Sequence, residues 1–276
     1  MRRLCLTLLV GFGLSAAAQA ADLPVKAPMA PAVYNWSGFY IGGNVGYGWG
    51  SSDNNFLVSD PLNAGGFVGT LNATDTNHYK GVIAGGQAGY NWQSTKYVFG
   101  IETDLQGSWQ KGDQNFNSAI VGTNIITGPF VNPTAITNTD KITWLGTTRG
   151  RLGYAADRWL IYATGGLAYG EVKIAGTATP ATIGVIPNLP FGWSQSSTRI
   201  GWTIGAGVEA ALAGKWTWKV EYLYVDLGNV TATTAIGPGC LGNPALAICG
   251  ASAGGPASVS ARIRDNIVRL GLNYRF

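Results

Sequence analysis

The chain has 276 residues, of which 46% are hydrophobic and only 12% are charged, about half the usual charged share. The formal net charge is +4, and it falls to +2 if Arg2 and Arg3 are removed with a leader, so the charge gives no indication of nucleic-acid binding. Beyond that leader no apolar run reaches the roughly 18 residues that a transmembrane helix needs, which excludes a helical membrane protein.

The first 20 residues are predicted to be a cleaved signal peptide. Arg2 and Arg3 form a positive start, residues 4–14 form a short apolar stretch, and Ala18-Gln19-Ala20 fits a cleavage site. Residues 21–37 follow as a lead-in rich in proline and alanine. Such a segment cannot pair as a central strand, so we expect it in the periplasm, ahead of a single domain that covers 38–276.

That domain is predicted to contain eight β-strands, because side chains alternate between an aromatic or aliphatic row and a row of glycine and polar residues. The predicted strands are 38–50, 79–92, 97–109, 141–154, 159–170, 199–212, 216–227 and 264–276. In the fourth strand Ile142, Trp144, Leu152 and Tyr154 are expected on the apolar face. The fifth strand is nearly apolar on both faces, so its register is not fixed by the pattern.

The connections between these strands predict the topology. Those after the second, fourth and sixth strands have three or four residues, whereas the other four have roughly thirty. Short turns at one end and long loops at the other are typical of outer-membrane barrels, and a compact soluble domain would not need four such loops. A closed barrel also pairs every backbone group within lipid. We therefore expect an all-β, transmembrane, antiparallel up-and-down barrel with short periplasmic turns and long extracellular loops.

Charged residues fall on the inward row of the predicted barrel. Four acids and four bases are expected to form a lumenal ion-pair network, with Arg149 and Arg151 paired to carboxylates of the neighbouring strand: Glu102, Asp104, Glu209, Glu221, Arg149, Arg151, Lys219 and Arg269. Side chains fill an eight-stranded interior, and buried charges must pair. The network is predicted to act as a plug; exchange of partners that opens a narrow water path is the alternative.

Aromatic residues gather at both ends of the predicted strands, as in the interfacial girdles of membrane barrels. Toward the short turns lie Trp36, Phe39, Trp92, Tyr97, Tyr154, Trp159, Trp216, Trp218, Tyr274 and Phe276. Toward the long loops lie Trp49, Trp109, Trp144 and Trp202.

The sequence offers no set of residues for catalysis, a cofactor or a metal. The single histidine, His78, is expected at the top of the first long loop with no acid to orient it, and one histidine makes no metal site. Cys240 and Cys249 are close in sequence in an exported chain, so we expect them to form one local disulfide.

The segment Tyr34-Asn35-Trp36-Ser37-Gly38-Phe39-Tyr40-Ile41-Gly42-Gly43-Asn44-Val45-Gly46-Tyr47-Gly48-Trp49-Gly50 resembles the small outer-membrane immunogenic, porin-family proteins of alphaproteobacteria. The motif Arg149-Gly150-Arg151-Leu152-Gly153-Tyr154, the pair Glu221-Tyr222 and the terminal aromatic residue extend this resemblance. It implies an OmpA-like eight-stranded barrel with structural and antigenic roles at the cell surface. It also implies that the assembly machinery of the outer membrane reads the terminal strand at Leu272, Tyr274 and Phe276.

The sequence therefore predicts a surface-exposed barrel of the Gram-negative outer membrane that contributes to envelope integrity. Its expected partners are outer-membrane lipid, lipopolysaccharide, the assembly machinery, and host or envelope proteins contacted by the long loops. The alternative is a small porin, or a protein whose loops capture a ligand such as haemin.

Overall fold

A computed structural model describes residues 34–60, 67–124, 128–181, 190–235 and 256–276, and these form one closed antiparallel barrel. Its eight strands are β1 Gly38–Asp60, β2 Phe67–Ser94, β3 Tyr97–Asn124, β4 Gly128–Ala156, β5 Trp159–Pro180, β6 Phe191–Ala211, β7 Trp216–Ala235 and β8 Pro256–Arg275. Each strand pairs with its neighbours in sequence, and β1 pairs with β8. The predicted fold class is confirmed. The signal peptide, most of the lead-in, Cys240 and Cys249 lie outside the described residues.

Three of the strand connections are tight turns at one end of the barrel. Thr95 between β2 and β3 has φ of 57°, and Asp157 between β4 and β5 has φ of 50°. Gly214 between β6 and β7 has φ of 64°, in the region that glycine adopts without steric cost. In the described part of the chain, no helix has the length and apolar character needed to cross a membrane.

An apolar band surrounds the barrel above these turns. Exposed aromatic and aliphatic side chains alternate with inward polar or small ones in residues 39–49, 82–92, 97–109, 144–154, 159–169, 200–210, 216–224 and 268–276. In β5 the outward residues are Trp159, Ile161 and Leu167, which gives the register that the sequence left open. The outward row is the surface that lipid covers in such a barrel.

One residue of the predicted apolar face points the other way. Ile142 is only 1% exposed and lies inside the barrel, although Trp144 remains on the outside. The pairing of β4 with β5 skips Thr143, since Ile142 pairs with Val172 and Trp144 with Glu171. This bulge adds one residue to β4 and shifts the alternation, so the prediction for Ile142 is wrong.

Beyond the apolar band the strands continue, and the two faces exchange polarity. In β1, Asp53 is exposed outside while Phe56 is buried inside, and in β8, Arg262 is exposed outside while Ile263 is buried inside. The prediction of loops of roughly thirty residues is wrong for three of the four segments, because strands occupy most of residues 51–78, 110–140 and 171–198. In the fourth segment, 228–261, strands cover 228–235 and 256–261, and the residues between them lie outside the described part of the chain. His78 accordingly lies within β2, paired with Ser51, and not at the top of a loop.

Inward glycines leave room for large side chains in the narrow lumen. A Cβ atom on Gly89 would lie 2.4 Å from the Tyr40 hydroxyl oxygen, and one on Gly207 would lie 2.6 Å from the Tyr162 ring. Neither contact is tolerable without movement of a buried tyrosine. Glycine is therefore required at these two inward positions, because a larger residue would collide with the tyrosines that fill the lumen.

Candidate functional site

The candidate site is a cluster of charges that crosses the lumen at the level of the apolar band. The structure brings all eight sequence-predicted residues into it, each no more than 5% exposed: Glu102 and Asp104 from β3, Arg149 and Arg151 from β4, Glu209 from β6, Lys219 and Glu221 from β7, and Arg269 from β8. Three pairs face each other across adjacent strands, namely Glu102 with Arg149, Glu209 with Lys219, and Glu221 with Arg269. The strict alternation of the strands places these side chains on one face.

Glu102 is the central acceptor of this cluster. Its Oε1 lies 2.5 Å from Arg149 Nη2 and 2.7 Å from Lys219 Nζ, which is also 2.7 Å from Oε2. The Tyr40 hydroxyl donates to Oε2 at 2.8 Å. One carboxylate from β3 thus connects to β1, β4 and β7.

Two further acids complete the centre. Asp104 Oδ2 accepts from Arg149 Nη2 at 3.0 Å and from Arg269 Nη2 at 2.9 Å. Glu221 Oε1 accepts from Arg149 Nη1 at 2.9 Å, and its Oε2 accepts from Arg269 Nη2 at 2.6 Å. Both arginines therefore bridge an acid of β3 and an acid of β7, which are far apart in strand order.

Arg151 pairs with Glu102 of the neighbouring strand as expected, but its closer partner is Glu209 of β6. Its Nη2 lies 2.8 Å from Glu209 Oε2, whereas its Nη1 is 3.7 Å from Glu102 Oε2. Its guanidinium carbon stands 3.9 Å from the centroid of the Tyr162 ring, close enough for a cation–π contact. Strand register predicted the Arg149 neighbour but not the Glu209 partner two strands away, because contact between non-adjacent strands depends on side-chain conformation.

The arrangement is suited to holding the lumen closed. Four acids face four bases, and charge-assisted hydrogen bonds are roughly twice as strong as neutral ones. Burial of such ions carries a desolvation cost of several kcal/mol per ion, so the cluster depends on all members being present. The acids and bases of the cluster are paired with one another, so none of them forms a separate pair for proton transfer.

A second layer closes the periplasmic end, and it corrects the placement of Trp36. This residue was expected in the aromatic girdle, but it is 0% exposed and packs inside the barrel against Val98 and Leu160. The Trp36 amide donates to Gln93 Oε1 at 2.6 Å, and the Arg275 guanidinium carbon lies 5.3 Å from a Trp36 ring centroid. Residues 34–37, the described end of the lead-in, therefore turn into the lumen before β1 begins.

A polar rim lies directly above the apolar band. Asp265 accepts from Gln110 Nε2 at 2.9 and 2.8 Å, and Asp140 Oδ2 accepts from Asn77 at 2.9 Å. Burial raises the pKa of Asp265 to about 7, against the opposing effect of the Gln110 hydrogen bond. Burial also raises the pKa of Asp140, although hydrogen bonds from Asn77, Asn54 and Asn138 oppose it.

An apolar core fills the lumen above this rim. It joins side chains of seven strands, among them Phe56, Leu71, Ile136, Ile174, Trp193, Val230 and Val259. The pattern of the predicted strands did not indicate this layer. The signal was available in stretches such as Ala257-Ser258-Val259-Ser260-Ala261, where small or aliphatic residues alternate with serine.

The remaining candidate residues do not join a site. His78 is exposed, and among the described residues no group of histidine, cysteine and acidic side chains could hold a metal ion. At the end of the chain the Phe276 amide donates to the Phe39 carbonyl at 3.0 Å, and the Phe276 ring lies 5.3 Å from that of Tyr274. Leu272 is exposed on the same outward row.

Comparison with known proteins agrees with this architecture. A family model described as an outer membrane protein beta-barrel domain matches residues 6–276. The 31 kDa outer-membrane immunogenic protein of Brucella melitensis is 35% identical over 265 residues, covering 94% of this chain and 93% of that protein. The 22 kDa outer membrane protein of Rhizobium leguminosarum is 31% identical over 201 residues, covering 73% of this chain and 68% of that protein.

Among solved structures, the attachment invasion locus protein Ail of Yersinia pestis aligns with a TM-score of 0.34 at 12% identity, covering 85% of this chain and 99% of Ail. That score is too low to support an argument about function. The family match and the two relatives confirm both the resemblance and the predicted location. The chain belongs to the outer membrane protein β-barrel family, as a surface protein of the outer membrane related to the immunogenic proteins of alphaproteobacteria.

Proposed function

We propose that this protein is a structural barrel of the outer membrane with a closed lumen, and that it contributes to envelope integrity. The observation that carries the proposal is the stacking of three different closures along one lumen. Trp36 lies at the periplasmic end, the ion-pair cluster lies in the middle, and the apolar core lies at the outer end. A water path would have to pass all three.

The energetics of the middle layer support a static plug. Arg149 and Arg269 each contact two or more carboxylates, so moving either away from its partners leaves uncompensated buried charge. Separating a buried pair costs on the order of 3–5 kcal/mol. Opening the lumen by exchange of ion-pair partners would require several such separations. This cost disfavours the alternative that the protein is a porin.

The proposal extends to partners and chemistry. We propose that outer-membrane lipid and lipopolysaccharide surround the apolar band, that the assembly machinery reads the terminal strand, and that envelope or host proteins contact the extracellular end. We propose that the protein is not an enzyme, that it uses no cofactor and that it binds no nucleic acid. Capture of a ligand such as haemin would require the connections between the outer strand ends, which lie mainly outside the described residues.

Solute uptake by proteoliposomes tests this proposal. Vesicles with purified, folded protein should swell in a small sugar no faster than protein-free vesicles, whereas a general porin at the same protein content should swell rapidly. The ratio of protein to lipid should be checked in each preparation. Swelling at the rate of the porin control would contradict the closed lumen.

A further inference from the structure

Four lysines form a continuous row around half of the barrel. Lys80 of β2 is directly opposite Lys111 of β3, Lys111 is opposite Lys141 of β4, and Lys141 is opposite Lys173 of β5. All four side chains are exposed. With adjacent strands about 4.8 Å apart, the row spans roughly 14 Å of the outer surface.

The row begins at the upper edge of the apolar band, where Lys80 is opposite Trp49. It rises from there toward Lys173, because barrel strands are tilted by about 35–45° and directly paired residues therefore differ in depth. Lys111 comes two residues after the exposed Trp109, and Lys141 comes three residues before Trp144. Aromatic residues at the edge of such a band mark the depth of the lipid headgroups. The lysine row therefore starts at the headgroups of the outer leaflet and rises above them, on the side away from the periplasmic turns.

Like charges directly opposite each other on adjacent strands destabilise a sheet. Only two of the four have a nearby acid on the described surface, since Lys111 is 2.8 Å from Asp113 and Lys173 is 3.8 Å from Glu171. Lys80 and Lys141 form no salt bridge within the described part of the chain. The row retains an excess of positive charge that an external anion would neutralise.

In the part of the chain that the structure describes, the outward bases that lack an acid partner at this end of the barrel lie on one side. Followed from Lys80 in the other direction, the row descends through Trp49 on β1, Asn266 on β8 and Tyr224 on β7, which carry no charge. The bases further out on β8 are paired, Arg262 with Asp226 and Arg264 with Asp53. Four adjacent lysines with an excess of positive charge, starting at the edge of the apolar band, indicate a ligand with several anionic groups at the membrane surface.

We propose that the Lys80–Lys111–Lys141–Lys173 row binds the phosphate groups of outer-leaflet lipopolysaccharide. Two or more phosphates on one sugar headgroup match a row of ammonium groups, and the acyl chains of the same molecule would lie against the apolar band below. The inference rests on the proposed envelope role, which it specifies by assigning a lipid-binding surface. It does not depend on whether the lumen conducts, so solute uptake and lipid binding can fail separately.

The test compares two double variants that each remove two lysine charges. K80Q/K141Q removes the two lysines without an acidic neighbour, and K96Q/K215Q removes two exposed lysines from the periplasmic turns. Binding of bisphosphorylated lipid A and of dephosphorylated lipid A is measured by native mass spectrometry or by titration of the full-length protein in neutral detergent. Unfolding midpoints in the same detergent verify that both variants fold.

We expect K80Q/K141Q to bind bisphosphorylated lipid A about tenfold or more weakly than the wild type, since each cation near an anionic surface contributes appreciably. K96Q/K215Q should stay within about twofold of the wild type, and wild-type affinity should fall with added salt. The wild type should bind dephosphorylated lipid A as weakly as K80Q/K141Q does. Equal binding of phosphorylated and dephosphorylated lipid, or equal loss in both variants, would overturn the proposal.

Discussion

Arg149 of β4 donates from Nη1 to Glu221 Oε1 of β7 at 2.9 Å, joining two strands on opposite sides of the lumen. Because the same guanidinium also contacts two acids of β3, one residue connects three walls of the barrel. This crosslink makes the charge cluster a part of the barrel's stability as well as a barrier.

The first prediction concerns this crosslink. Arg149→Ala leaves Glu102, Asp104 and Glu221 short of one cation and should lower the free energy of unfolding by on the order of 3–5 kcal/mol. Urea titration in detergent, followed by the heat-dependent shift on gels, measures the loss. Lys96→Ala, on an exposed turn, serves as the control and should have little effect. A midpoint for Arg149→Ala equal to that of the control would contradict the cluster's role.

The second prediction concerns the inward glycines. Gly207→Ala places a methyl group 2.6 Å from the Tyr162 ring and should destabilise the barrel by about 1–3 kcal/mol, as overpacking does. Gly150→Ala is the matched control, because the nearest atom to its Cβ is 3.9 Å away on the outward face. The two unfolding midpoints are compared under one set of conditions. If both variants behave alike, the close packing against Tyr162 is not required.

The third prediction concerns the periplasmic closure. Trp36→Ala removes a fully buried ring from the lower lumen and should cost about 3–5 kcal/mol of stability. Trp109→Ala, whose side chain is 65% exposed on the outer surface, should cost clearly less. Equilibrium unfolding in detergent measures both. An unchanged midpoint for Trp36→Ala would show that the lead-in does not hold the barrel end closed.

The fourth prediction concerns pH. The pKa of Asp265 is raised to about 7 in the folded barrel, whereas an unfolded aspartate titrates near 4. The folded state therefore binds this proton more tightly, and the resulting stability is fully present below pH about 4 and is lost as pH rises through about 7. Asp265→Asn should remove this dependence and be more stable than the wild type at pH about 8, by on the order of a few kcal/mol.

Unfolding midpoints at several pH values between about 4 and 8 test this prediction. The exposed Asp113→Asn variant should keep the wild-type loss of stability with rising pH. The prediction is wrong if Asp265→Asn follows the wild-type curve throughout.

The fifth prediction concerns assembly. Deleting Phe276 removes the hydrogen bond from its amide to the Phe39 carbonyl and the ring contacts with Phe39 and Tyr274. We expect less heat-modifiable protein in the outer membrane at ordinary expression. Replacing Phe276 with Tyr keeps an aromatic end and should restore assembly. Normal insertion of the deletion variant would refute a role for the terminal residue.

The sequence predicted the membrane-facing half of the barrel well, because lipid imposes a strict alternation that Tyr97 to Trp109 displays plainly. It also placed the eight lumenal charges on the inward face. It did not predict the upper half, because the apolar residues there, such as Phe56 and Val259, move to the inside while the outer face becomes polar. The alternating pattern predicted strand ends at the level where the surroundings change from lipid to water, although the strands themselves continue past it.

Three further differences come from geometry that a linear pattern does not contain. Trp36 lies in a proline-rich lead-in, and its aromatic ring fits an interfacial girdle as well as it fits the lumen. Arg151 of β4 reaches Glu209 of β6 because it lies over the Tyr162 ring of β5, which depends on the space left by Gly207. Ile142 was misplaced by a single bulge residue, Thr143.

Single-channel conductance in planar lipid bilayers tests the closed lumen most directly. Purified wild-type protein, shown to be folded by its heat-dependent mobility, should give no steady conductance, because Trp36, the Arg149–Glu221 cluster and the apolar core block the path in series. Arg151→Ala should raise brief, irregular current at most. A large and steady conductance in the wild type, unchanged by Arg151→Ala, would contradict a closed lumen and identify the barrel as a pore.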